Sequence, residues 1–168
     1  MILIETERLI LRQLKIDDAE FILALLNEPS FLRYIGDKKV RSIDDARQYI
    51  LNGPIASYER NGFGLYLAAI REPHTPIGIC GLLKREELAD VDIGFAFRPD
   101  FWGQGFAYEA AKAVMDYARQ TLKLQRVVAI TNPDNESSIK LLERMGFTFE
   151  RLIQLTKDGD EVKLFASQ

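Results

Sequence analysis

The sequence is poor in metal-binding and disulfide-forming residues and in clustered positive charge. It contains one cysteine (Cys80), one histidine (His74) and a formal net charge of −3. A lone cysteine forms no intrachain disulfide, which fits a reducing cytoplasm, and one Cys with one His is too few for a zinc site. We therefore predict a cytoplasmic protein that uses no metal.

The chain also lacks a basic run and a long apolar run, and these absences argue against two classes of partner. Nucleic-acid binding depends on clustered Lys and Arg, which this acidic chain does not have. The N-terminal "MILI" meets Glu5, Glu7 and Arg8 at once, which is not the pattern of a secretory signal, and no segment has the about 20 apolar residues of a membrane span. We expect neither nucleic acid nor a membrane as partner.

What the sequence does contain is enough apolar material for one core. Of its 168 residues, 47% are hydrophobic and 28% are charged, and no low-complexity linker or internal repeat divides them. Residues 1–168 are therefore predicted to form a single domain.

The hydrophobic pattern predicts alternating helices and strands. Strands are predicted at "RLILRQL" (8–14), "FGLYLAAIR", "PIGICGLLK", "VDIGFAFR", "RVVAI", "FTFERLIQL" and "EVKLFA", and helices at "DDAEFILALLN", after Ser42, at 104–124 and at "NESSIKLLERMG". We expect Ser42 to cap its helix, Gly53 and Pro54 to interrupt that helix, and Asp158–Gly159 to turn a final hairpin. This order predicts an α/β (α+β) fold on one sheet.

The stretch "RPDFWGQGFAYEA" (98–110) places two glycines between a strand and a helix. Glycines let the backbone approach a ligand closely, and the first N–H groups of a helix attract anions, so the stretch predicts an anion site. It matches neither GxxxxGK[ST] nor a dinucleotide fingerprint, which argues against nucleoside triphosphates and dinucleotides. Glu109 is interpreted as a favourable charge in the first helical turn.

Three segments, in this order, resemble the GNAT N-acetyltransferases. They are "TERLILRQL", "DIGFAFRPDFWGQGFAYEA" and "NPDNESSIKLLERMGFTFE", and the closest branch is the Rim type, which includes ribosomal-protein N-terminal acetyltransferases. The resemblance spans essentially the whole chain. It implies a single mixed, mostly antiparallel sheet that splays between its fourth and fifth strands, with helices on both faces and acetyl-CoA as cosubstrate in the gap.

The resemblance also implies which residues hold acetyl-CoA. The family's pyrophosphate loop, [QR]xxGx[GA], falls on residues 102–107, with Trp102 in the first position as a packing residue. The strand backbone at Phe95 and Phe97 is implied to pair with the pantetheine amides. Asn135 matches an asparagine that contacts the cofactor arm, and helix capping is a second role for it. The implied cofactor-binding residues are Phe95, Phe97, Gly103, Gln104, Gly105, Phe106, Ala107 and Asn135.

Two residues are implied to carry the chemistry. Direct attack of an amine on the thioester needs no covalent intermediate, so the absence of a Ser–His–Asp set is no objection. Asp92, which strand alternation places on one face with Gly94 and Ala96, is the candidate base, and a solvated strand-edge carboxylate is the alternative. The general-acid tyrosine of many GNAT enzymes falls on Leu142 here. Ser138 matches the serine of Rim-like enzymes and would share the acid role with water; simple helix-start capping is the alternative.

The implied acceptor is a primary amine, most specifically the α-amine of a ribosomal or other protein N terminus. A small-molecule amine, such as a polyamine or an antibiotic, and a catalytically degenerate CoA-binding module are the alternatives. We expect the acceptor to lie against the front helices, the loop "PSFLRYIGDKKVRS" and the closing hairpin. The protein is expected to be a monomer or a homodimer.

Overall fold

The computed structural model describes residues 2–167 and arranges their strands in one eight-stranded sheet. The strands are β1 (Ile2–Glu5), β2 (Leu9–Gln13), β3 (Leu65–Ile70), β4 (Thr75–Leu83), β5 (Asp92–Phe97), β6 (Val128–Thr131), β7 (Thr148–Gln154) and β8 (Glu161–Ala166). The α-helices are α1 (Ala19–Leu26), α2 (Pro29–Tyr34), α3 (Ile43–Ile50), α4 (Ala56–Asn61), α5 (Phe106–Gln120) and α6 (Glu136–Arg144).

The sheet is mixed and mostly antiparallel, as the resemblance implies. Its order is β1-β2-β3-β4-β5-β6-β8-β7, and β5 and β6 form its parallel pair. These two strands are in register only where Asp92 faces Val128, so they part toward the end of β5. When the edge strand β1 is left out of the count, this parting lies between the fourth and fifth strands.

Helices cover both faces of the sheet because successive strand side chains alternate between two cores. Leu9 and Leu11 of β2 join the core under α5, whereas Ile10 joins the core under α1 and α3. The helix α5 contributes small residues to the first core, including Ala110 and Ala111, which are fully buried. The predicted fold class is therefore confirmed.

Several details of the secondary structure differ from the sequence prediction. A π-helical turn at Leu51–Ile55 carries the chain from α3 into α4, so Gly53 and Pro54 do not end the helical path; the wider turn accommodates the proline, which lacks an N–H. The helix predicted at 104–124 is shorter and corresponds to α5. Strand β1 and helix α2 were outside the predicted set because four and six residues are too few to show a clear period. Ser42 caps α3 as predicted, accepting a hydrogen bond from the Asp45 N–H.

Candidate active site

The gap between β5 and β6 exposes one edge of β5. The Val128 N–H donates to the Val91 carbonyl at 2.9 Å, and the Arg98 N–H donates to the Ile77 carbonyl at 2.8 Å. Because hydrogen bonding alternates along a strand, these two bonds direct the backbone groups of odd-numbered β5 residues toward β6 and those of even-numbered residues toward β4. Beyond the Asp92 pairing, the odd-numbered residues therefore turn their backbone groups into the gap.

Phe95 and Phe97 are the residues in that position. The indole Nε1 of Trp102 donates to the Phe97 carbonyl at 2.9 Å, although the Trp102 side chain stays about half exposed. Trp102 thus holds the end of β5 and lines a cavity at the same time. The N–H of Phe97 and both backbone groups of Phe95 are placed to pair with an extended ligand.

The glycine loop connects this strand edge to the N-terminus of α5. Gly103 and Gly105 have φ angles of +77° and +83°, in the left-handed region that side chains disfavour, and Gly105 is the N-cap of α5. The Glu109 N–H donates to the Gly105 carbonyl at 3.0 Å, so the N–H groups of the preceding helical residues have no partner inside the helix. A helix start with N–H groups of this kind is suited to binding an anion.

Arg8 braces the glycine loop from the other end of the chain. Its Nε donates to Glu109 Oε1 at 2.7 Å, its Nη1 donates to the Gln104 carbonyl at 2.9 Å, and its guanidinium lies 4.3 Å from the Phe106 ring centre. Thr6 also donates to the Glu109 carboxylate. Glu109 therefore does more than place a charge in the first turn: it ties the N-terminal segment to the loop.

A first cavity of about 470 Å³ lies in the gap beside this loop. Its lining includes the strand edge, the glycines and the start of α6. Four charged residues contribute to the lining: Glu28, Asp134, Glu136 and Arg144. Gln104 is outside this lining. Because three carboxylates and one guanidinium line the cavity, an anion in it would depend on backbone N–H groups rather than on net charge.

A second cavity of about 410 Å³ adjoins the first one. The two share part of their lining, namely Phe31, Tyr34, Ile35, Phe95, Ala96, Asn135 and Ser138. The second cavity extends toward the start of β5, where its lining includes Asp92, Arg85, Lys38 and Tyr49. A group held in one cavity can therefore meet a group held in the other beside Phe95 and Ser138.

Asp92 lies in the wall of the second cavity. Its side chain is 1% exposed, and both of its carboxylate oxygens accept from Arg85 Nε at 3.2 Å. Burial raises the pKa of Asp92 to about 6, although the charge and hydrogen bond of Arg85 act in the opposite direction. The alternative of a solvated strand-edge carboxylate is therefore wrong.

Asn135 and Ser138 stand together at the start of α6. The Asn135 side-chain oxygen accepts from the Ser138 N–H at 3.3 Å, so the capping role of Asn135 is confirmed. Both residues line both cavities. Leu142, one helical turn further on, is 1% exposed and packs in the core.

Comparisons with known proteins agree with this geometry. A family model described as an acetyltransferase (GNAT) domain matches residues 8–148. The chain belongs to the GNAT acetyltransferases. The uncharacterized N-acetyltransferase YoaA of Bacillus subtilis (strain 168) is 34% identical over 154 residues, which cover 90% of this chain and 86% of YoaA.

Two further GNAT comparisons concern named acceptors. Spermidine N(1)-acetyltransferase of Escherichia coli (strain K12) is 36% identical over 74 residues, which cover 42% of this chain and 40% of that enzyme. The structure of RimL, a ribosomal L7/L12 α-N-protein acetyltransferase in complex with coenzyme A, superimposes with a TM-score of 0.83 and 22% identity, covering 99% of this chain and 97% of RimL. The RimL likeness shows that the two share a fold.

Three polar residues in the lining of the second cavity, Arg85, Lys38 and Tyr49, were not named individually by the sequence prediction for this GNAT site. Arg85 and Lys38 come from two loops that are far apart in sequence, and Tyr49 comes from α3. Arg85 stands in "KREE", where its charge is balanced by its neighbours, so no local signal distinguishes it.

Metal-binding clusters and membrane-spanning helices are absent from the part of this GNAT chain that the structure describes. Within residues 2–167, no group of three or more His, Cys, Asp and Glu side chains could hold a metal ion. Over the same residues, no helix has both the length and the apolar character needed to cross a membrane.

Proposed function

We propose that this GNAT chain transfers the acetyl group of acetyl-CoA to the α-amine of a protein or peptide N terminus. The observation that carries the proposal is the meeting of two cavities beside Ser138. One is bordered by backbone N–H donors that suit a phosphate-bearing ligand. The other is bordered by a buried carboxylate, Asp92, that suits a general base.

The residues of the first cavity fit acetyl-CoA. The N–H groups of the 103–107 loop and of the α5 start would hold the pyrophosphate, with the Gln104 N–H contributing to the same loop. The exposed backbone of Phe95 and Phe97 would pair with the pantetheine amides. The side-chain oxygen of Asn135 caps α6, so its Nδ2 group would be the one that donates to the pantetheine arm of acetyl-CoA. Acetyl-CoA itself supplies an acyl thioester that is ready for attack by an amine.

The reaction needs two proton movements. As the C–N bond forms and the thioester C–S bond breaks, the amine loses one proton and the departing sulfur gains one. In our proposal, Asp92 takes the amine proton through a water, and the Ser138 hydroxyl, together with a water, donates to the sulfur. Ser138 is suited to this because it borders both cavities.

The ordinary pKa values of the two acceptor classes favour an α-amine over a lysine side chain. An α-amine has an ordinary pKa of about 7.7–8.0, whereas lysine is about 10.4. Near neutral pH a much larger fraction of an α-amine is therefore already unprotonated and able to attack, so an α-amine suits a site that has one candidate base, Asp92. The shared fold of RimL, an α-N-protein acetyltransferase, supports the same acceptor class.

A competitive assay tests the acceptor class. Peptides with a free N terminus and a blocked lysine, peptides with the reverse arrangement, and spermidine are offered with acetyl-CoA while release of the CoA thiol is followed. We expect the free N terminus to react fastest. Faster acetylation of the lysine peptide or of spermidine would overturn the acceptor, and absence of any turnover despite acetyl-CoA binding would favour a degenerate CoA-binding module. A cytoplasmic location and a monomeric or homodimeric state stay predictions.

A further inference from the structure

The second cavity carries more positive than negative charge. Its charged lining residues are Lys38, Lys84, Arg85 and Asp92. The ammonium of Lys84 donates to two backbone carbonyls of its own loop at 3.3 Å each, which uses part of its hydrogen-bonding capacity. Lys38 is an exposed residue of this lining and forms no ion pair with any residue in the range 2–167.

Arg85 is held by one edge of its guanidinium. Its Nε donates to Asp92, whereas its two terminal Nη groups make no hydrogen bond to the part of the chain that the structure describes. The Arg85 side chain is 31% exposed, so these groups are accessible. A guanidinium oriented in this way offers a pair of parallel donors, which matches the two oxygens of a carboxylate.

Lys38 and Arg85 are two cations of the same cavity. Both residues belong to the lining of this cavity, and desolvation, to which the charge of Arg85 adds, lowers the pKa of Lys38. The acidic residues that follow Arg85, Glu86 and Glu87, are exposed and are not part of the lining. An anion between Lys38 and Arg85 would relieve their repulsion.

We propose that the acceptor carries a carboxylate close to its primary amine, and that Arg85 and Lys38 bind this carboxylate. The inference rests on the proposed function and narrows its acceptor to amines with an adjacent acidic group. In a peptide, the carboxylate is an acidic side chain near the N terminus; in a small acceptor, it is the molecule's own carboxylate. A polycation such as spermidine meets like charges in this cavity and is a poor acceptor.

Three matched peptides test the preference. Ser-Glu-Ala, Ser-Gln-Ala and Ser-Lys-Ala, each with an amidated C terminus, differ only in the second side chain, which is anionic, neutral or cationic. We expect kcat/KM for the Glu peptide to exceed that for the Gln peptide by about tenfold, since hydrogen bonds to charged groups are stronger than neutral ones, and the Lys peptide to be slowest. Equal values for the Glu and Gln peptides, or a preference for Lys, would overturn the proposal.

Further arms separate the two sources of the carboxylate. The dipeptide Ser-Gln with a free C terminus is compared with its amide, and free glutamine is compared with glutamine amide. A preference confined to the Ser-Glu-Ala series assigns the site to an acidic side chain. A preference confined to the dipeptide or to free glutamine assigns it to a small acceptor's own carboxylate.

Variants assign the preference to the named residues. Lys38→Gln should reduce the Glu-to-Gln ratio of kcat/KM severalfold. Arg85→Lys keeps a charge beside Asp92 but removes the pair of donors, so it should bring the ratio close to one. Lys39→Gln, an identical charge change at the next residue and outside the lining, should leave the ratio unchanged. An unchanged ratio in both Lys38→Gln and Arg85→Lys would contradict the assignment.

A binding measurement separates this inference from the proposed function. Calorimetry with the acetylated forms of the Glu and Gln peptides, in the presence of CoA, compares the two side chains without turnover. If no peptide is acetylated but the Glu form still binds about tenfold more tightly, the proposed function fails and the carboxylate site stands. If peptides are acetylated and the two forms bind equally, the carboxylate site fails alone.

Discussion

The two cavities that meet at Ser138 differ in the groups that they offer to a ligand. The first has three carboxylates and one guanidinium in its lining, yet it borders a helix start and two left-handed glycines that present backbone N–H groups. The second has three cations and one buried carboxylate in its lining. An anionic ligand in the first cavity must therefore rely on directed backbone donors, whereas the second cavity can select by side-chain charge.

This difference predicts which variants should change the affinity for acetyl-CoA and which should change turnover or acceptor choice. Backbone donors are removed only by changing the path or the packing of the chain, so changes in the loop should alter the affinity for acetyl-CoA. Side-chain groups can be removed singly, so changes in the second cavity should alter turnover and acceptor choice while acetyl-CoA still binds. Five variants or conditions test this division.

The largest effect is expected for Asp92→Asn. Loss of the base should lower kcat on the order of 100-fold while the Kd for acetyl-CoA stays within a few-fold. Asp90→Asn is the matched control, because Asp90 is two residues earlier and pairs with Arg126 instead. Steady-state kinetics, calorimetry and thermal unfolding are measured together. Full activity in Asp92→Asn would remove this residue from the mechanism.

Ser138→Ala should also act on turnover, to a similar or smaller extent. The N–H that Asn135 caps is a backbone group and is kept in the variant, so the helix start should persist. We expect kcat to fall up to about 100-fold with little change in Kd for acetyl-CoA. Ser137→Ala is the control, because Ser137 lines the first cavity but not the second. A large loss of thermal stability with normal kcat would support a purely structural role.

Gly105→Val should act in the opposite way, on binding. A side chain at a φ of +83° is strained, and its Cβ would stand 3.3 Å from Arg8 Nη2 at the proposed pyrophosphate site. We expect the affinity for acetyl-CoA to fall at least tenfold, or about 1.4 kcal/mol. Gly62→Val, at a φ of +79° with no atom within 4 Å of a built Cβ, is a control for backbone strain alone. Unchanged calorimetric affinity in folded Gly105→Val would contradict the phosphate assignment.

The pH dependence should report on the second cavity. If the α-amine and Asp92 must both be unprotonated, log kcat/KM should rise with slope two below pH 6 and with slope one from there to about pH 8. At pH 5 the protonation of Asp92 alone should cost about tenfold. Asp92→Asn should show slope one throughout, and an unaltered profile in that variant would show that the lower limb belongs to another group.

The same pKa has a consequence for stability. Because the folded-state pKa of Asp92 is raised above 3.8, the folded state binds its proton more tightly than the unfolded chain does. The contribution of Asp92 to the free energy of unfolding is therefore fully present below about pH 4 and is lost as the pH rises through about 6.

The smallest effect is expected for Glu109→Gln, which loosens the brace behind the glycine loop. Burial opposes the ionised form of Glu109, but hydrogen bonds from Thr6 and Arg8 outweigh it and hold its pKa below the ordinary value. The variant should weaken acetyl-CoA binding a few-fold and leave acceptor selectivity unchanged. Asp116→Asn, whose exposed carboxylate pairs with Lys112 on the same helix, is the control. A changed acceptor preference in Glu109→Gln would contradict the assignment of cofactor binding to the first cavity and acceptor choice to the second.

The features that could be predicted from the sequence are those that depend on residues close together in the chain. Strand alternation placed Asp92 opposite Ile93, the Asn135 cap and the Ser42 cap followed from their side chains, and the Asp158–Gly159 turn joined the last two strands. The two glycines and the helix that follows them indicated the cofactor loop. These features are local because turn chemistry, capping and hydrophobic period act over a few residues.

The ion pairs and the charged lining of the cavities could not be predicted from the sequence, because they depend on the tertiary structure. Arg8 reaches Glu109 across 101 positions of sequence, and Asp92 is a buried group that pairs with Arg85. In the sequence, "KREE" (84–87) sums to zero charge, but in the fold Lys84 and Arg85 line the second cavity and Glu86 and Glu87 do not. Long-range packing sets the environment of each charge, and burial and proximity, not composition, set its pKa and its partner.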